Sequence, residues 1–323
     1  TSLRKPTIFV TMMTICRYTP DKAALWDEFV GRSRQGTFLF ERAYMDYHQD
    51  RFADHSLMVY RKARLFALLP ANATDGVLWS HQGLTYGGLL TGPEATVEDV
   101  CDAFRSINAY LRKAGIMRVV YKAMPWIYHR LPAEEDLYAL TNVCGAQLMA
   151  RHISSTLIAN HRLRFIESRR GGIRKALRQG VLVRESDDLE AFWNILDNNL
   201  EHKYGAHPVH SLAELQLLKK RFPAQIRLFM AYRGSEALGG TLIYETPQVV
   251  HTQYISASPE GKACGALDLL FDELLNKVYL QTPFFDFGKS SNGDGHDLNE
   301  ALIFQKEGFG GRGVCYDWYS YLL

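Results

Sequence analysis

The sequence predicts a mixed α/β protein made of two tandem domains, each a largely antiparallel sheet flanked by helices. Three observations predict it. First, one pattern of residue types is written twice, about 167–172 positions apart. Residues 21–40 match 188–207 with Trp26 over Trp193, 57–61 (LMVYR) match 229–233 (FMAYR), and 98–122 match 266–289 with Phe104 over Phe271. Second, apolar residues in each copy recur at helical spacing in some windows and alternate in others. Third, 323 residues, 47% hydrophobic and 22% charged, suit about two domains that each bury a core. The expected division is 1–155 and 156–323, and a cleft between two such copies is the expected place for a ligand.

The elements follow in order. Residues 21–33 read as a helix, with Leu25, Trp26, Phe29 and Val30 on one face and Asp21 after Pro20 as a first-turn acid. A second helix is expected over 42–49, then strands at 56–61, 64–70 and 77–80. A glycine-rich stretch, 81–90, cannot be a regular strand throughout. Helix 97–114 precedes strand 118–123, and helix 137–149 leads into strand 151–159. The second copy repeats this: helices 187–204 and 211–222, a hairpin of 227–232 with 237–245, strand 248–257, helix 265–279, strand 284–288, helix 299–308 and strand 313–322.

The totals exclude several classes. No apolar stretch approaches the ~20 residues of a membrane span. The first twenty residues read as a leading strand and not a secretory signal, because Thr, Arg and Cys interrupt their apolar run. Five scattered cysteines with no CxxC spacing argue against a zinc site or a disulfide framework, which makes a reducing cytoplasm the expected location. Net charge is +2, yet residues 161–184 hold eight Lys/Arg against one Glu, so the remainder carries −5. That basic segment reads either as a solvated helix linking the domains or as a face for the phosphates of a nucleotide, coenzyme or tRNA. There is no HExxH, GxSxG or catalytic-cysteine pattern, so neither a metal nor a covalent nucleophile is expected.

The order α-α-β-β-β-α-β-α-β is similar to that of GNAT-type acyl-CoA N-acyltransferases. Lys306–Gly311 (KEGFGG), following Phe285-Asp286-Phe287-Gly288, resembles the C-terminal signature of the Fem-type nonribosomal peptidyl transferases, which pair two GNAT-like domains. Residues 172–180 (GIRKALRQG), 226–232 and 239–241 also resemble that family's second domain. The resemblance implies two tandem GNAT-like domains and an N-acyltransferase. It implies acyl-CoA as co-substrate and, among relatives of this kind, a nucleotide-linked amino-sugar for surface polysaccharide as acceptor. The Fem alternative takes aminoacyl-tRNA to a peptidoglycan precursor; the long helical arm of some members is missing, since only about twenty residues are available for it. A third reading is a non-catalytic duplicate that binds a sugar or partner.

Amide formation from a thioester needs a base for the amine, stabilisation of the oxyanion and alignment of the partners. His251 and Asp286 are the first candidates for the catalytic base: a histidine on the strand that should face the thioester, and a carboxylate between two phenylalanines, each of which could instead be structural. For the coenzyme, the resemblance points to the turn Lys262-Ala263-Cys264-Gly265-Ala266-Leu267, with Ser256 upstream, although Leu267 stands where Gly or Ala is usual. Candidate substrate contacts are His81, Gln82 and Tyr86 in the glycine-rich stretch, Lys122, Tyr128 and His129 around Pro125, Lys203 and His207 after the second copy's first helix, and Gln253, Tyr254 and Lys289. Alternation puts Gln253 on the face of His251 and Tyr254 on the other. Trp318, Tyr319 and Tyr321 suit either a core strand or a homodimer surface.

Overall fold

The computed structural model describes residues 13–205 and 207–323, and of Lys203 and Tyr204 the backbone only. The chain folds into two compact units, one running to Met149 and regaining Asp317–Leu323, the other Ala150–Tyr316. The boundary expected at 155/156 therefore falls inside a strand, and the last seven residues belong with the first unit.

The first unit holds β1 (Thr14–Arg17), α1 (Ala23–Arg32), α2 (Arg42–Met45), β2 (Leu57–Arg61), β3 (Arg64–Leu69), β4 (Asn72–Thr74), β5 (Val77–Trp79), β6 (Leu90–Thr91), α3 (Val97–Lys113), β7 (Arg118–Lys122) and α4 (Glu135–Asn142). Two strands, β8 (Gln147–Ile158) and β16 (Arg312–Leu322), begin in one unit and end in the other. The first unit has one sheet in the order β1-β2-β3-β6 and a second ordered β4-β5-β7 followed by the end of β16. α3 begins at Thr96, whose hydroxyl caps the Asp99 amide, and lays Val100, Phe104, Ile107 and Leu111 on one buried stripe. That stripe packs on Leu57, Val59, Leu78 and Val119. Tyr321 is buried there too, donating to Asn108 Oδ1 at 2.9 Å, so it is a core residue and not surface.

The second unit holds the rest of β8, α5 (Glu167–Arg178), β9 (Val181–Ser186), α6 (Leu189–Tyr204), α7 (Leu212–Arg221), β10 (Ile226–Arg233), β11 (Glu236–Glu245), β12 (Val249–Ala257), α8 (Pro259–Cys264), α9 (Ala266–Glu273), β13 (Phe284–Lys289), β14 (Ser291–Asn292), β15 (Asp297–Leu298) and α10 (Glu300–Glu307). Its strand order is β9-β10-β11-β12-β13-β8 and then the start of β16. From β9 to β8 the neighbours are antiparallel except β12 and β13, which are parallel. The duplicated tryptophans play one part in both copies. Trp26 Nε1 donates to the Phe40 carbonyl at 2.7 Å, and Trp193 Nε1 to that of His210 at 3.3 Å.

Four expectations are corrected. The helix expected over 42–49 is a single turn, α2, followed by a 3₁₀ turn. The helix expected over 137–149 stops at Asn142, because Gly145 takes a left-handed φ of +63° and β8 starts at Gln147. The helix expected from Gly265 begins six residues earlier at Pro259, capped by Ser258, and breaks at Gly265, where φ is +81°. Finally, the basic segment 161–184 is not a linker. It supplies α5 and most of β9, and α5 packs on α9 so closely that a Cβ on Gly265 would lie 2.5 Å from the Gly172 carbonyl oxygen.

Among the described residues no helix is long and apolar enough to cross a membrane. Among the described residues no group of three or more His, Cys, Asp or Glu is placed to hold a metal. All five cysteines are free.

Candidate functional site

The second unit positions its site through a partial strand pairing. β12 and β13 run parallel and are paired only from Val249↔Phe284 to His251↔Asp286. Beyond that pair they separate, β12 continuing to Ala257 and β13 to Lys289. The point of divergence thus carries His251 and Asp286 side by side, and the gap beyond it is a cleft.

Asp286 is fully buried. Its neighbours explain why a carboxylate survives there. The residues beside it in β13, Phe285 and Phe287, pack into an aromatic cluster with Phe271 and Phe309, in which the rings of Phe271, Phe287 and Phe309 lie 4.9–5.7 Å apart. Against it stand four donors: Ser154 Oγ and Thr156 Oγ1 (2.8 Å) on Oδ1, and His251 Nδ1 (2.7 Å) and Tyr316 Oη (2.7 Å) on Oδ2. Burial pushes the carboxyl up, but the bonds from His251, Ser154 and Tyr316 outweigh it and hold the pKa at about 2. An ionised carboxylate only accepts, so His251 carries its proton on Nδ1. The Cε1–Nε2 edge faces Gly288, where a Cβ would sit 3.2 Å from Cε1 and 3.7 Å from Nε2. The two candidates for the base, named separately from the sequence, are brought together. Ser154, Thr156 and Tyr316 were missed, although the run of three small hydroxyl residues Ser154-Ser155-Thr156 within β8, all buried, is a signal in the sequence.

The cleft measures about 610 Å³. Its walls are largely apolar, among them Leu200, Ile255, Phe271, Phe287 and Leu302, and its polar groups gather at two places. On α6, Asn199 donates to Ser256 Oγ and the Ala257 carbonyl, both at 2.7 Å, and accepts from Lys262 Nζ at 2.8 Å. The other is Lys306, buried at the C-terminal end of α10, whose Nζ donates to the carbonyls of Gly288 (2.8 Å) and Lys289 (2.9 Å). Burial lowers its pKa to about 8, with Asp286 pulling the other way. Lys306 is the lysine of KEGFGG, a motif read for its family likeness and not for this side chain. A β-bulge in β12 opposite Leu242/Ile243 leaves Gln253 as the extra residue, so alternation counted through 251–254 shifts by one. Such a bulge leaves backbone amides outside the ladder, where an oxyanion can use them.

The other second-unit candidates fall as follows. Ser256, Lys262 and Gly265 line the cleft or the hollow beside it, while Ala266 is buried at the start of α9. The glycine at 265 has a packing cause, its close approach to Gly172. Tyr254 Oη meets His210 Nδ1 at 2.7 Å, and burial raises its pKa to about 12. His207 is exposed and pairs with Asp197 Oδ1 at 2.7 Å, which raises its pKa. Lys289 is half-buried, its pKa lowered by desolvation. The side chain of Lys203 lies outside the described residues.

In the first unit the candidates are engaged by internal partners. The rings of His81 and His48 stack 5.3 Å apart, and burial lowers the His81 pKa to about 3. Gln82 pairs with Asn72, its Oε1 accepting from Nδ2 at 2.6 Å. Lys122 Nζ donates to the carbonyls of His81 and Leu84. Tyr86 and Tyr128, both buried, lie 4.4 Å apart. His129 is half-buried near Arg34, with a pKa lowered to about 4, chiefly by desolvation. β6 and β7, the counterparts of β12 and β13, are not paired at all, and Tyr121 fills the gap. Its hydroxyl accepts from the Leu89 amide and donates to Asp136, each at 2.6 Å. The first turn of α3 carries Glu98 and Asp99, which disfavour an anion there.

Comparison with known proteins agrees with this geometry. Residues 163–296 match the model of the acetyltransferase (GNAT) domain. No curated protein sequence matches the chain. Among solved structures, FemX is similar over 96% of this chain and 97% of its own, at 11% identity and a TM-score of 0.65. L-PGS from Bacillus licheniformis is similar over 94% and 92%, at 12% identity and 0.56. A tandem GNAT protein from the clavulanic acid biosynthesis pathway is similar over 96% and 98%, at 11% and 0.51. The fold is therefore GNAT-like with Fem-type neighbours, and the matched domain is that of an acyltransferase.

Proposed function

We propose that this chain moves an acyl group from a coenzyme A thioester to the amine of a nucleotide-linked amino-sugar, and that the second unit does the chemistry. One observation carries the reading: a His–carboxylate pair where the pairing of β12 with β13 ends, followed along the two strands by Ile255 and Phe287, which line a cleft with Lys306 on its wall. The acyl thioester lies in the cleft with its phosphates toward Lys262. Nε2 of His251 takes a proton from the acceptor amine, and the nitrogen attacks the thioester carbonyl. Asp286 fixes the tautomer and stabilises the imidazolium. The oxyanion is met by Lys306 and by amides at the Gln253 bulge. Collapse breaks the C–S bond, and the leaving thiolate takes the proton back from His251. In the first unit the corresponding gap is filled by Tyr121, so donor and acceptor meet in the second unit's cleft.

The Fem reading, with aminoacyl-tRNA as donor and a peptidoglycan precursor as acceptor, is supported by the likeness to FemX along the whole chain. Against it, much of the basic segment is engaged internally. Arg162 binds the Leu275 and Tyr279 carbonyls, Arg169 pairs with Asp268, and Arg170 and Arg174 pair with Glu167. A thermal-shift panel of coenzyme A, UDP- and dTDP-amino-sugars and bulk tRNA separates the two. A ligand at 100 times its Kd stabilises by about 2.7 kcal/mol. The proposal expects shifts with coenzyme A and one nucleotide-sugar; a shift with tRNA alone rejects it.

A further inference from the structure

Phe304, on α10, is 58% exposed although the same helix buries Lys306. Its ring forms one wall of a hollow of about 270 Å³, together with Ala301, Gly261, Gly265, Lys262 and Arg169. Asp268 also lines it, but is ion-paired with Arg169 at 2.7 Å, which leaves Lys262 as the uncompensated charge. The hollow is continuous with the donor cleft, for Lys262, Leu267 and Gln305 belong to both. Lys262 is held at that junction by Asn199.

Each wall has a consequence for what fits. A phenyl face and a methyl group offer flat apolar contact and no hydrogen bonds, which suits the π-face of a heteroaromatic ring. Two glycines opposite add no side chain to the space. A lysine between this hollow and an apolar cleft suits phosphate that joins a ring on one side to a flexible chain on the other. Coenzyme A has that layout: adenine, phosphates, then the pantetheine arm. We infer that Phe304 stacks on the adenine of the acyl donor while Lys262 meets its phosphates, making Phe304 the residue that recognises the nucleotide end of the donor. The inference rests on the coenzyme A reading above and specifies it further.

The test is a calorimetric titration of wild type, Phe304→Ala and Phe304→Tyr with coenzyme A, with 4′-phosphopantetheine, which lacks the adenosine, and with bulk tRNA, which also ends in an adenosine. Phe304 is exposed, so both variants should fold, which the melting temperature checks. Phe304→Ala should weaken coenzyme A by about 5- to 150-fold, the range of one base–aromatic stack. It should leave 4′-phosphopantetheine unchanged, and Phe304→Tyr should keep the wild-type affinity. Coenzyme A binding that is unchanged in Phe304→Ala, or loss that is equal for 4′-phosphopantetheine, overturns the inference while the donor reading stands. Wild-type protein that binds neither compound overturns both, as does an effect of the substitution on tRNA alone.

Discussion

Replacing Asp286 by Asn keeps the side chain's shape and removes its charge. In the wild type, Oδ1 accepts from Ser154 and Thr156, and Oδ2 from His251 and Tyr316. Asn preserves the first two bonds. Its NH₂ then faces two donors, the Tyr316 hydroxyl and the His251 Nδ1–H. The cheapest relief is for His251 to move its proton to Nε2 and accept from the new amide. A ring protonated at Nε2 cannot take a proton from the amine, so kcat/KM should fall by ~10²–10⁴. Losing one or two charge-assisted bonds at a fully buried group should cost about 2–4 kcal/mol of stability. The pH dependence adds a check. The carboxyl pKa is about 2 folded against 3.8 as its ordinary value, so its stabilisation is present above 3.8 and lost as pH falls through 2. The stability gap between wild type and Asp286→Asn should therefore narrow by about 2 kcal/mol across that window. Thiol release measures the rate and urea unfolding the stability. An Asp286→Asn enzyme as fast as the wild type would refute the reasoning, even if it were less stable.

Two further predictions concern groups around the cleft. With its pKa lowered to about 8 from the usual 10.5, Lys306 sheds its proton in the folded protein before it does so in the unfolded chain. Wild-type stability should thus rise between those pH values and activity fall above pH 8; Lys306→Met should show neither limb and a lower kcat throughout. Gly265→Ala meets a φ of +81° and the Gly172 carbonyl, so its melting temperature should drop, by roughly 2–3 kcal/mol of lost stability. A fully stable Gly265→Ala would mean that α5 and α9 can move apart.

Much of this architecture is legible in the residues. The helical stripes of α1, α3 and α6 and the hairpin β10–β11 follow from spacing and from turn residues at Gly234-Ser235, and Trp26 and Trp193 mark the duplication. Asp286 was legible as a candidate for a physical reason, since a carboxylate between Phe285 and Phe287 has no cheap explanation except a set of donors, but its pairing with His251 was not. What the sequence hid depends on distant partners. Ser154, Thr156 and Tyr316 lie 132, 130 and 30 residues from Asp286, and no local pattern joins them. The role of 161–184 was hidden because a chain of arginines looks the same whether it faces solvent or binds the end of a neighbouring helix. The break at Gly265 is set by the approach of Gly172, again a tertiary cause. Ser258-Pro259, by contrast, was a helix start that could have been read.

The central claim is that His251 deprotonates an amine bound beside a thioester in the second unit. The most direct test is amine-dependent thiol release from acyl-coenzyme A by wild type and His251→Ala, with the coenzyme A Kd measured on both. The account predicts acceptor-dependent release in the wild type. In His251→Ala it predicts a kcat reduced ~10²–10⁴-fold with an unchanged Kd. Equal turnover in the two proteins, or release that does not depend on an amine, would contradict it.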